Sequence, residues 1–110
     1  MQIDPEKALN FMRDNAPKLA KAMADKVYLS EFRKTQKSIL FANAPDDLKT
    51  VQAKEAYAYA HHDYIEVLDG LRVAVEEEAN LRYLMKAAEQ KVDIWRSLEA
   101  SNRRVDRSHT

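Results

Sequence analysis

At 110 residues, with one glycine, three prolines and no cysteine, the chain suits a single domain with a modest core. The same counts exclude a disulfide framework, thiol chemistry and glycine-rich phosphate loops. Eighteen Lys/Arg balance eighteen Asp/Glu, so a uniformly basic or acidic surface is excluded as well.

Asp4-Pro5-Glu6 reads as a helix start. Asp4 can cap free amides, Pro5 suits the first turn, and Glu6 complements the positive end of the dipole. Pro17 removes an amide donor and crowds the Arg13 carbonyl, so residues 1–42 are expected to form two short helices, kinked or broken near Pro17. Asn43-Ala44-Pro45 predicts a turn over 43–45. Asp46 and Asp47 then offer a new first turn, and a long amphipathic helix is expected over 46–101. Residues 102–110 read as a flexible basic tail.

The long segment carries an apolar stripe stepping by three and four: Thr50, Ala53, Tyr57, Ala60, Tyr64, Val67, Leu71, Ala74, Glu78, Leu81, Met85, Ala88, Val92, Trp95 and Glu99. These positions share one face of a helix with a seven-residue repeat. Leu68, Val75, Leu84 and Leu98 widen the stripe beyond a two-helix seam, toward a bundle. A continuous helix over 46–101 would span roughly 84 Å at about 1.5 Å per residue. A partner helix limited to 17–41 covers less than half of it, and the rest would face water. The expected fold is therefore all-α: a helical hairpin with one very long C-terminal helix, assembling into a coiled-coil-like or multi-helix bundle oligomer. Tyr57, Tyr64, Leu71, Leu81, Met85, Val92 and Trp95 are the expected oligomer interface. Gly70 is a candidate bend. Glu78 interrupts the stripe once, as a register marker or a paired buried carboxylate.

Chemistry leaves fewer traces. His61-His62-Asp63, with Glu66 and Asp69 downstream, is the one arrangement that resembles a metal cluster. A di-iron bundle needs Glu-x-x-His pairs on two helices, however, and no such pair occurs. No metal, no cofactor and no catalytic residue are expected, and the chain is read as a non-enzyme.

Charge is unevenly spread. Residues 1–45 hold eight Lys/Arg against five Asp/Glu, residues 46–99 seven against twelve, and residues 100–110 three against one. Two basic clusters follow, one around Arg33, Lys34 and Lys37 and the other at Arg103, Arg104 and Arg107. Both combine cations with small polar donors, which contact phosphates without reading bases. The plain alternatives are helix-dipole complementation and a solvated tail. Tyr57, Tyr64 and Trp95 are claimed by the stripe, so no exposed stacking platform is expected.

The stretch Leu81-Arg82-Tyr83-Leu84-Met85-Lys86-Ala87-Ala88-Glu89-Gln90-Lys91-Val92-Asp93-Ile94-Trp95-Arg96-Ser97, followed by Asn102-Arg103, resembles small helical proteins encoded by bacteriophages and prophages near recombination and replication genes. The resemblance covers residues 50–104 and transfers no site residue. It implies an accessory role in phage DNA metabolism. The expected function is a non-enzymatic, self-associating helical accessory of phage DNA recombination or replication. It would bind DNA, single-stranded by preference, through Arg33, Lys34, Lys37, Arg103, Arg104 and Arg107. The alternative is a protein-interaction adaptor, chaperone or scaffold without nucleic-acid binding, whose partner is a phage or host protein. No apolar run approaches the roughly 20 residues that span a bilayer, and Met1-Gln2-Ile3-Asp4-Pro5 has no basic segment followed by an apolar one, so a secretory signal is not expected from these residues. A cytoplasmic location is expected, in the host cell if the chain is phage-encoded.

Overall fold

The computed structural model describes residues 2–109. Met1 and Thr110, at the ends of the expected 1–42 segment and 102–110 tail, lie outside the described residues. The fold is all-α: α1 spans Pro5–Ala42, α2 Val51–Ala60 and α3 His62–His109, with no strand among the described residues. None of these helices is long and apolar enough to cross a membrane.

α1 opens as its sequence predicts. Asp4 Oδ1 accepts the Lys7 amide at 3.2 Å, and Asp4 O accepts that of Ala8. The expected break at Pro17 does not occur, because α1 is one helix of 38 residues with Pro17 inside it. Proline in a helix interior costs about 3 kcal/mol, which tertiary contacts on each side offset. Before Pro17, Ala8, Phe11 and Met12 pack with Ala88 and Val92. After it, Lys26 pairs with Glu78. Asn15 Nδ2 also donates to Phe11 O at 2.8 Å, a side-chain bond beside the missing amide. Replacing Pro17 with Ala restores that amide opposite the Arg13 carbonyl. It is expected to stabilise the chain by about 1–3 kcal/mol, part of the gain being lost to the freer unfolded chain. A urea midpoint no higher than that of the parent chain would contradict this account.

The 43–45 turn is longer than expected. Asn43 N and Nδ2 both donate to Ile39 O at 3.0 Å, closing α1. Leu48 N then donates to Pro45 O, so Asp46 and Asp47 lie in a turn and do not open a helix. Thr50, extended at φ −105° and ψ 153°, starts α2 by accepting the Ala53 amide on Oγ1 at 3.0 Å.

The expected 46–101 helix is also divided. His61, at φ −67° and ψ 139°, leaves α2 and caps α3: its Nδ1 accepts the Asp63 amide at 3.0 Å, and its carbonyl accepts those of Tyr64 and Ile65. Gly70, by contrast, is helical with no positive φ. Leu29 Cδ1 packs over it, 3.4 Å from where a Cβ would stand, a distance close to ordinary van der Waals contact. The expected flexible tail is helical through His109. Residues 102–109 contain no Gly or Pro, and each added residue contributes one more backbone bond to an existing helix.

Two compact units make up the chain. One joins α1 up to Ala20 with α3 from Ala79, and the other is Lys21–Glu78. The first has Ala8, Ala88 and Val92 at its centre, flanked by Phe11 and Met12. The second is centred on Leu40, Ala58 and Tyr64, with Phe41 against them. There Lys26 meets Glu78, Leu29 meets Gly70 and Leu40 meets Tyr64, an antiparallel register of α1 on α3.

Every stripe position from Tyr64 to Glu99 is buried or half-buried. The helical face was legible; its cover was not. A stripe left largely to water presupposed a partner helix limited to 17–41, whereas α1 reaches Ala8 on one side of Pro17 and Leu40 on the other. Tyr64 and Val92, expected at an oligomer interface, are buried in the chain's own clusters. Tyr57, Leu71, Leu81, Met85 and Trp95 are half-buried.

Candidate nucleic-acid interface

Arg33, Lys34, Lys37 and Ser38 occupy positions i, i+1, i+4 and i+5 of α1 and so share one broad face. With Tyr59 of α2 and Tyr64 of α3 they line a cavity of about 340 Å³ in the Lys21–Glu78 unit. Three cations and no carboxylate line it. Two of the cations have carboxylate partners outside the lining. Lys34 Nζ is 3.6 Å from Glu31 Oε2, both side chains well exposed, and Lys37 Nζ is 3.7 Å from Glu55 Oε1. Such long, solvated pairs hold little energy and yield readily to a stronger anion.

Arg33 is different. It is half-buried, and its Nε is shut away from solvent with no hydrogen-bond partner. Leaving such a donor unpaired costs about 1–3 kcal/mol.

Lys37 Nζ lies 4.6 Å from the Tyr59 ring centroid, a cation–π contact. Tyr59 in turn meets Tyr64 edge-on, with ring centroids 5.3 Å apart at 79°. The Tyr59 hydroxyl, and secondarily Glu55, hold the Lys37 ammonium above its ordinary pKa of 10.5, against some desolvation. The folded chain therefore binds this proton more tightly than the unfolded chain. The contribution is complete below the ordinary value and is lost only as pH rises beyond it, so Lys37 keeps its charge in any neutral assay.

Of the six cations expected to touch phosphate, the structure thus brings Arg33, Lys34 and Lys37 to one cavity. Arg103, Arg104 and Arg107 form a separate exposed group in the last turns of α3, where Ser108 Oγ donates to Arg104 O at 3.0 Å. Tyr59 is the residue the sequence reading missed. It is 46 % exposed and lies off the stripe, where the three-four spacing carries no signal. Its position two residues after Tyr57, hence on the opposite side of α2, was the available signal.

His61, His62 and Asp63 do converge, with one donor atom from each within 4.8 Å of the others. His61 Nδ1 is already occupied by the Asp63 amide, and His62 Nε2 lies 2.8 Å from Asp63 Oδ1. The group also stands at the start of α3, where the helix dipole disfavours a cation. The arrangement is accounted for as a helix cap.

No protein-family model, curated protein or solved structure matches the chain.

Proposed function

We propose that this chain is a non-enzymatic, self-associating helical protein that binds single-stranded DNA through phosphate contacts. The observation that carries the reading is the carboxylate-free cavity of Arg33, Lys34, Lys37 and Ser38. Three cations and a hydroxyl on one helix face match a flexible phosphate backbone, and phosphate neutralisation supplies most of the affinity of sequence-independent binding. The resemblance of residues 50–104 to phage-encoded proteins supports recombination or replication as the process served. Titration of a labelled oligo(dT) 20-mer at rising salt tests the reading. Binding should appear at low salt with micromolar protein and weaken steadily as salt is added. Absence of binding at 20 mM salt would falsify it.

Self-association draws its support from exposed apolar residues of α3 beside the stripe, in addition to the half-buried stripe positions themselves. Ile65, Leu68 and Val75 in one unit, and Leu84, Ile94 and Leu98 in the other, are each 37–46 % exposed. Joining copies through such faces would align several modest cation sites and raise avidity without new chemistry. Light scattering across a concentration series is expected to show more than one chain per particle, and Leu84→Asp to lower that number. The same exposed residues, Leu68, Val75, Leu84 and Leu98, favour the second reading, an adaptor for another protein. A single-chain mass at every concentration would transfer support to it.

A further inference from the structure

Tyr59 carries an inference that rests on the nucleic-acid reading and goes further. It is half exposed on the wall of a cavity that also holds Arg33, Lys34 and Lys37. Its ring is braced by Lys37 at 4.6 Å and by the buried Tyr64 at 5.3 Å. A braced aromatic ring with open surface loses little freedom when a planar group settles on it. The cations beside it make the site selective for a planar group that carries negative charge. We propose that Tyr59 is a stacking platform for one unpaired base, with Arg33 and Lys34 holding an adjacent phosphate, so that the cavity distinguishes single strands from duplex. In a duplex the base faces are covered by their neighbours and only the phosphates remain available. Tyr28 provides an internal control. It is 65 % exposed and stacked on Phe32 in the same unit, but it does not line the cavity.

The test compares oligo(dT) with an abasic deoxyribose-phosphate strand of equal length and charge, and with a duplex of the same length. Oligo(U) serves as a further arm to separate DNA from RNA as the source of the strand. Stacking on an aromatic side chain contributes roughly 5- to 150-fold in affinity per base. The parent chain is expected to prefer oligo(dT) over the abasic strand by a factor in that range. Tyr59→Ala should erase the preference, whatever it does to affinity for the abasic strand through Lys37; Tyr59→Phe and Tyr28→Ala should retain it. Equal binding of oligo(dT) and the abasic strand by the parent chain overturns the stacking role but leaves phosphate binding standing, and needs no variant to fold. Failure of both strands to bind at low salt overturns the nucleic-acid reading together with this one. Loss of affinity for both strands by the same factor in Tyr59→Ala, so that the preference survives with helicity intact, would mean that Tyr59 only supports Lys37, and sinks the platform.

Discussion

A chain with Arg33, Lys34 and Lys37 all replaced by alanine is expected to bind oligo(dT) about 100-fold more weakly than the parent at 0.1 M salt. The figure follows from counterion release: each phosphate neutralised on a single strand contributes about 0.7 to the slope of log affinity against log salt. Three contacts contribute about 2, so the two chains should converge near 1 M salt and differ by about two decades a decade of salt lower. Screening makes the comparison diagnostic, because a folding defect would not vanish as salt rises. Glu55 adds to the effect. It lies 3.7 Å from Lys37 in the parent chain, and without that partner its charge faces the approaching phosphate. A parallel variant lacking Arg103, Arg104 and Arg107 assigns the second cluster. A slope reduced to the same degree makes both groups part of the interface, and an unchanged slope confines it to the α1 cavity. Should the first variant keep the parent slope, the cavity is not where DNA sits.

The second large effect concerns stability. Lys26→Ala is expected to destabilise the chain by about 2–3 kcal/mol, while Glu78→Leu should be neutral or stabilising by about 1 kcal/mol. Glu78 is 6 % exposed within the α3 stripe, and Lys26 Nζ lies 2.5 Å from its carboxylate. Removing one partner of a buried pair strands the other in a poorly solvated site, which costs about 3–5 kcal/mol. The lower part of that range, or just below it, applies here because the Lys26 side chain is 41 % exposed and Glu78 has contacts besides this one. The asymmetry arises because Lys26 can reach water along its own stem once Glu78 is gone, whereas a carboxylate at position 78 cannot. Leucine there would extend the apolar face between Ala74 and Leu81. Urea midpoints of the two variants check the sign of each. A destabilisation of equal size in both would mean that the pair contributes net stability and not merely register.

Several features of this molecule were visible in the residue pattern alone. The three-four spacing from Tyr64 to Glu99 identified the face of α3 that is buried, and Glu78 was recognised on that face. Asp4-Pro5-Glu6 marks the start of α1, and the spacing of Arg33, Lys34 and Lys37 places them on one helix face. Periodicity and capping are local properties, encoded over one or two turns, so a sequence displays them directly.

Other features depend on what each face meets. Pro17 carries a real local penalty, and only the packing of Ala8 with Ala88 and Val92, together with the Lys26–Glu78 pair, decides that α1 continues through it. His61 is not among the usual capping residues, and the division of α2 from α3 rests on its side chain accepting the Asp63 amide. Tyr59 acquires a role because Lys37 of α1 and Tyr64 of α3 close around it. The amino-acid order determined which residues turn inward along α3 from Tyr64 to Glu99, but not along α2, where Ala58 is buried and the stripe position Ala60 is exposed. The tertiary contacts decided that the chain itself buries Tyr64, Ala74, Ala88 and Val92 of its stripe, and which cations and rings share a cavity, because burial and proximity arise only between segments far apart in sequence.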